Sequence, residues 1–232
     1  MSSLTAIGFD ADDTLWQNEH FYRMTEDRFT ALLTEYAEPS HLSARLLEAE
    51  KRNLRYYGFG IKGFTLSMIE TAIEVTENRV PAAVIRQILE MGREMHSHPV
   101  ETLPHVRETL EHVAGAYKII LITKGDLFDQ ERKLAQSGLG EMFDAVEIVS
   151  DKTSATYERI FNRYGDGAGR SMMVGNSLKS DVLPAIQAGS WGVYVPHSIT
   201  WAFEHAEAPV AEPRFRQISH LGELVELLKT LG

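Results

Sequence analysis

Leu4-Thr5-Ala6-Ile7-Gly8-Phe9 runs directly into Asp10-Ala11-Asp12-Asp13-Thr14. A short apolar run bounded by turn-forming residues reads as a parallel strand buried on both faces. Three carboxylates within four residues at the end of such a strand are costly to desolvate unless a cation neutralises them. A divalent metal, and carboxylate chemistry that uses it, meets that requirement. An acidic turn capping the next helix, with Asp12 or Asp13 as N-cap, accounts for the same residues without chemistry.

Beyond this run the chain changes texture twice. From about Gln17 to Ser97 apolar residues recur at helical spacing: Phe21, Met24, Phe29, Leu32, Leu33 and Tyr36 in one segment, Leu42, Leu46, Leu47 and Leu54 in a second. Phe64, Met68, Ile69, Ala72 and Ile73 form a third, and Val84, Ile85, Ile88, Leu89 and Met91 a fourth, with Pro81 near its first turn. Gly58, Gly60 and Gly63 read as a loop. After Pro99, strands and helices alternate. Strands are expected at 117–122, 145–149, 172–174, 192–195 and 215–218, and helices near 106–113, 128–137, 154–164, 180–188 and 221–230. This alternation predicts an α/β fold, a Rossmann-like doubly wound parallel sheet. The all-helical segment is then an inserted cap, residues 17–97, in a core made of 1–16 and 98–232.

Composition narrows the function classes. The 44% apolar and 24% charged fractions of these 232 residues are those of a globular protein with a sizeable core. A net charge of −10 argues against binding nucleic acid or an anionic membrane. The absence of cysteine excludes disulfides, thiolate metal sites and cysteine nucleophiles, and suits a cytoplasmic setting. No signal peptide or membrane span is visible.

Ligands of open parallel sheets bind beyond the carboxyl ends of the strands. Those ends carry Asp10, Asp12 and Thr14; Thr123, Lys124 and Gly125; Ser150, Asp151 and Lys152; and Gly175, Asn176, Ser177 and Asp181. Acids for a metal, a hydroxyl and N–H groups for oxyanions, and a lysine are the parts that phosphoryl transfer needs.

The set resembles the haloacid dehalogenase superfamily, most of whose members are Mg²⁺-dependent phosphatases. The quoted motifs are Phe9-Asp10-Ala11-Asp12-Asp13-Thr14-Leu15, then Leu121-Ile122-Thr123-Lys124-Gly125-Asp126, then Lys152, then Val174-Gly175-Asn176-Ser177-Leu178-Lys179-Ser180-Asp181. The resemblance implies that the helical insert is a type-1 cap that carries specificity by closing over the phosphate site. It implies Asp10 as nucleophile, Asp12 as general acid and then base, and Lys152 as the neutralising cation. Thr123 and the Lys124 N–H would hold phosphoryl oxygens. Mg²⁺ would be held by Asp10, the main-chain carbonyl of Asp12, Asn176 and Asp181. The carbon–halogen dehalogenases of this fold lack an acid at the position of Asp12, so its presence favours phosphoester hydrolysis. A closed, low-dielectric site would keep Asp12 protonated part of the time.

Two departures stand out. Asn176 replaces the family's usual Asp; an amide oxygen ligates a hard cation without charge, which lowers metal affinity or shifts the load to Asp181. Thr153 follows Lys152 where the family usually has Pro. Asp13 reads as a solvated or capping acid. Lys51, Arg52, Arg55 and Lys62 could meet an anionic substrate tail or be ordinary solvated charges. Trp16 and Tyr56-Tyr57 could stack on a base or sugar, although core packing suits them better, and His96 and His98 read as incidental. The stretch Trp201 to Phe215 reads as a surface excursion.

The expected reaction is hydrolysis of a small phosphorylated metabolite through an aspartyl phosphate. A non-catalytic phosphate-binding protein, a phosphonate hydrolase using an imine-forming Lys51 or Lys62, and a phosphoprotein phosphatase are the alternatives.

Overall fold

The computed structural model describes residues 4–199 and 201–231. Its first strand, β1 (Ala6–Phe9), is buried along its whole length. It stands at the centre of a six-stranded sheet of order β3-β2-β1-β4-β5-β6. The other strands are β2 (Lys118–Lys124), β3 (Ala145–Val149), β4 (Ser171–Gly175), β5 (Trp191–Tyr194) and β6 (Phe215–Gln217). Every neighbouring pair is parallel. The chain builds outward from β1 to β2 and β3, then returns to place β4 on the other side of β1. That reversal leaves the crevice of a doubly wound sheet at the carboxyl ends of β1 and its two neighbours.

Period-two alternation sorts the core into two layers. Ile7, Phe9, Ile119, Leu121, Met172, Val174 and Val193 face one side, against α5 (Val106–Val113) and α9 (Leu224–Leu231). Ala6, Ile120, Ile122 and Met173 face the other, against Tyr157, Ile160 and Phe161 of α7 (Ser154–Tyr164) and Ala185 of α8 (Leu183–Gln187). With both faces covered, the strands must be apolar throughout, which is why they read as runs.

Two local departures from the expected elements bear on the site. β2 continues two residues past Ile122, because Thr123 and Lys124 pair with Ile148 and Val149. The expected helix at 180–188 instead opens with a π turn, Leu178–Val182, and only then becomes α8. The Ser177 carbonyl accepts from both Asp181 N (2.9 Å) and Val182 N (3.1 Å). Pro184 has no N–H to return to Ser180 O, four residues back. The Tyr157 hydroxyl donates to that carbonyl instead, at 2.9 Å.

By its contacts the chain divides into two units. One is Met1–Glu19, Val100–Lys124 and Gln130–Gly232; the other is His20–Pro99 with Gly125–Asp129. The short run after β2 thus groups with the helical insert, whereas the sequence reading placed it in the core. The helical unit holds nearly all of α1 (Glu19–Leu32), with α2 (Pro39–Tyr57), α3 (Ile61–Val75) and α4 (Ala82–Ser97). Phe29, Leu33, Leu42, Leu46, Phe64, Met68, Ala72, Ile88 and Met91 form its core. Pro39 opens α2 and Gly58, at φ +69°, ends it, the usual asymmetry of helix termini. Gly63 lies inside α3, not in a loop: a Cβ there would stand 3.0 Å from Gly58 O, so the tight α2–α3 corner favours glycine. The first turn of α6 (Leu127–Ser137) belongs to this unit and the remainder to the sheet-bearing one. No helix is long and apolar enough to cross a membrane among the described residues.

Candidate active site

Asp10 prolongs β1, its N–H donating to Val174 O at 2.9 Å. Its carboxylate is nearly sealed from solvent. Lys152, 4% exposed, bridges Asp10 Oδ1 and Asp181 Oδ1, the latter at 2.7 Å. Asp181, 0% exposed, receives the Ser177 N–H on its other oxygen at 2.9 Å. Gly175 makes this approach possible: a Cβ there would lie 2.3 Å from Asp181 Oδ2 and 2.7 Å from its Cβ. Lys152 immediately precedes Thr153, whose side chain caps α7 by accepting from Thr156 N at 3.2 Å. Thr153 therefore performs by capping what a proline does by opening a helix.

One ammonium shared by two buried carboxylates leaves a negative charge uncompensated. Burial, reinforced by Asp181, pushes Asp10 up to about 7 against the pull of Lys152. For Lys152, burial pulls downward, but the two carboxylates prevail and hold it above the ordinary lysine range.

The second oxygen of Asp10 faces Thr14 and Asn176. Thr14 Oγ1 donates to Asp10 Oδ2 at 3.1 Å and accepts the Asn176 main-chain N–H at 3.0 Å. The hydrogen-bond network assigns the Asn176 side-chain amide with its nitrogen inward. It then donates to Thr14 Oγ1 (3.2 Å), Asp10 Oδ2 (3.1 Å) and the main-chain oxygen of Asp12 (3.2 Å). Three oxygens thus surround the point this amide occupies, the Asp10 carboxylate and the Asp12 carbonyl among them, and the amide turned over would present its own oxygen beside them. Among the described residues no three Asp, Glu or His side chains gather as a metal group. The converging donors are one carboxylate, one carbonyl and one amide, all hard oxygens, beside an uncompensated negative charge. That set fits a hard divalent cation that keeps several waters.

The Asp12 side chain has other partners. Lys133 Nζ lies 2.6 and 2.8 Å from its two oxygens, Gln130 Nε2 donates at 2.8 Å, and the indole N–H of the fully buried Trp16 donates at 2.8 Å. Burial pushes Asp12 upward, but Lys133 and the hydrogen bonds outweigh it, and the group is held below the ordinary aspartate value. The expectation of a partly protonated Asp12 is therefore corrected in this arrangement: the low-dielectric setting brought a cation with it. Gln130 and Lys133 went unnoticed in the sequence, although their three-residue spacing puts both on one face of α6. Asp13 is a cap and is not solvated: at φ +59° its buried carboxylate accepts from Asn18 N (2.9 Å) and Glu19 N (3.0 Å) at the entry to α1. Burial pushes it up to about 6.

Thr123, at the end of β2, is buried. Lys124 Nζ donates to Ser180 Oγ at 2.8 Å and pairs with Glu204. Glu204 lies on the stretch that reads as a surface excursion, in a turn of 3₁₀ helix (Ala202–Glu204), and this part of the stretch is folded onto the site.

The helical unit engages most of the charges considered for a substrate tail. Arg52 pairs with Glu70 and Glu74, both at 2.8 Å, Lys62 pairs with Asp126 at 2.8 Å, and Arg55 lies over the Tyr56 ring. Lys51 is exposed. Tyr56 and Tyr57 are 67% and 54% exposed, which overturns the expectation of core packing. His98 stacks on Phe21 and His96 contacts Asp129 at 3.3 Å.

The family model for haloacid dehalogenase-like hydrolases matches residues 4–189. A haloacid dehalogenase-like family hydrolase from Xanthomonas campestris has a similar structure, with a TM-score of 0.87 and 43% identity over 99% of this chain and 93% of that one. Glyceraldehyde 3-phosphate phosphatase of Methanothermobacter thermautotrophicus is 24% identical over 86% of this chain and 88% of its own length. Pyrimidine 5'-nucleotidase YjjG of Escherichia coli is 25% identical over 96% of both.

Proposed function

Because the chain belongs to the haloacid dehalogenase-like hydrolases, we propose that it is a phosphatase acting on a small phosphate monoester, with Asp10 as nucleophile. The observation that carries the reading is the buried Asp10–Lys152–Asp181 network at the carboxyl end of β1, whose flanking strands β2 and β4 carry Thr123 and, just past its end, Asn176. The two phosphate-ester hydrolases among its relatives support the same reaction class.

In the first step an Asp10 oxygen bonds to phosphorus, the ester O–P bond breaks, and the leaving oxygen takes a proton from Asp12. In the second, the oxygen of a water bonds to phosphorus, the P–Oδ bond breaks, and Asp12 takes the water's proton. Lys152 pulls Asp10 toward its charged form and orients it. The Thr123 hydroxyl and the Lys124 N–H hold the phosphoryl oxygens. Asp12 is ready for the second step as it stands; for the first it must acquire a proton and leave Lys133. Asp10, the Asp12 carbonyl and Asn176 would hold Mg²⁺, with Asp181 supporting them through Lys152. Bound there, the cation supplies charge neutralisation for the phosphoryl group.

The test is phosphate release from p-nitrophenyl phosphate and from a panel of phosphorylated metabolites, with Mg²⁺ and with EDTA, by wild type and Asp10→Asn. Turnover that requires Mg²⁺ and disappears in Asp10→Asn is expected. Silence across the whole panel would instead identify a phosphate-binding module.

A further inference from the structure

Glu204 reaches the carboxyl end of the sheet from the long connection between β5 and β6, and no step of the proposed reaction uses it. Its side chain is 14% exposed. One carboxylate oxygen pairs with Lys124 Nζ; the other accepts from Ser177 Oγ and, at 2.5 Å, from Ser180 Oγ. Lys124 also donates to Ser180 Oγ, so Lys124, Ser180 and Glu204 close a ring. The preceding residue adds a tie to the same π turn, Phe203 O accepting from Lys179 Nζ at 2.8 Å. Burial pushes the Glu204 carboxyl upward, but Lys124 and the two serines outweigh it.

The placement of these partners gives the contact its meaning. Lys124 ends β2 and Ser177 follows β4, the two strands that flank β1. One carboxylate therefore spans the strand ends on either side of Asp10. The Ser177 N–H holds Asp181, and the Thr123–Lys124 corner carries the proposed phosphoryl donors, so both sides of the cradle rest on Glu204. Removing it would leave an ammonium and two hydroxyls in a largely buried setting to find new partners. Transition-state contacts tolerate such displacement poorly: a misplacement of about 1 Å costs on the order of a hundredfold in rate.

We propose that Glu204 is a positioning residue for the phosphoryl cradle, tying the end of β2 to the turn after β4 across the strand that bears the nucleophile. This inference rests on the phosphatase reading.

The experiment compares full-length wild type, Glu204→Ala and Glu204→Gln with Mg²⁺ present. It measures kcat and KM on p-nitrophenyl phosphate, orthovanadate affinity by calorimetry, and the thermal midpoint. Glu204→Ala is expected to lower kcat by about 10–100-fold with KM changed less than about threefold, and to weaken orthovanadate in proportion to kcat. Glu204→Gln, whose amide oxygen still accepts from both serines, is expected to restore kcat to within about fivefold of wild type. A Glu204→Ala enzyme with kcat and orthovanadate affinity within about twofold of wild type would overturn the proposal, as would a loss carried by KM alone. If Glu204→Ala does not fold, Glu204→Asp takes its place under the same criteria. If wild type hydrolyses nothing, the phosphatase reading fails by itself. Orthovanadate affinity then decides: a loss in Glu204→Ala supports the brace, and equal affinity, or no binding by wild type, overturns it.

Discussion

Lys133 Nζ sits 2.6 and 2.8 Å from the two carboxylate oxygens of Asp12, so the proposed acid–base is held as an anion on α6. The two proposed half-reactions ask opposite things of it. Replacing Asp12 by Asn should separate them. With p-nitrophenyl phosphate, whose leaving group needs no proton, Asp12→Asn is expected to release about one nitrophenol per chain in a burst and then stall. With an alkyl phosphate no burst is expected, and the rate should drop by about 10²–10⁴-fold. Rapid-mixing absorbance and phosphate release check the two outcomes.

Asn176 places an amide donor where Asp10 and the Asp12 carbonyl converge. Asn176→Asp puts a further carboxylate there, with Lys152 the only ammonium on Asp10 and Asp181 among the described residues. In EDTA the variant is expected to lose about 1–3 kcal/mol, several degrees of thermal midpoint. Added Mg²⁺ should raise its midpoint more than that of wild type. Equal midpoints in EDTA would mean that the inward amide contributes nothing to the metal-free fold.

The Tyr157 hydroxyl donates to the Ser180 carbonyl, which Pro184, four residues on, cannot serve. Tyr157→Phe removes the hydroxyl donor to Ser180 O in a buried setting, with an expected loss of about 1–3 kcal/mol by denaturant unfolding. Since Ser180 is adjacent to Asp181, activity should fall as well. Pro184→Ala returns an N–H four residues on, and the double variant is expected to recover part of the stability.

Glu204 also predicts a pH dependence. Its folded value lies below the ordinary glutamate value of 4.5, so its pairing stabilises the chain fully above 4.5 and is lost as pH falls through the depressed value. Glu204→Gln has no such titration. Wild type should be the more stable of the two at neutral pH, and the gap between their thermal midpoints should narrow below pH 4.5.

The residues legible in the sequence were those whose local pattern fixes their place. Asp10 follows an apolar run and Thr123 follows another, so a strand end could be assigned to each before the sheet was known. Lys152 and Asp181 follow strand ends in the same way and take their roles from the resemblance, and in the folded chain Lys152 joins Asp181 to Asp10. What escaped was set by long-range contact. Glu204 stands 80 residues from Lys124 and Lys133 stands 121 residues from Asp12. Nothing in a proline- and glutamate-bearing tail marks one acid as inward. The π turn escaped as well, since the Ser180 carbonyl within it is served by a tyrosine hydroxyl from another helix.

Lys152, Lys124 and Lys133, the lysines gathered near the end of β1, each bind a carboxylate of the same chain: Asp10 and Asp181, Glu204, and Asp12. The long-range field around this end of the molecule is therefore set by a chain whose net charge is −10. A doubly charged phosphate ester approaching through dilute buffer would be slowed by that field, and dissolved ions would shield it. Capture would then quicken with ionic strength, the reverse of an enzyme that steers its anionic substrate with exposed cations.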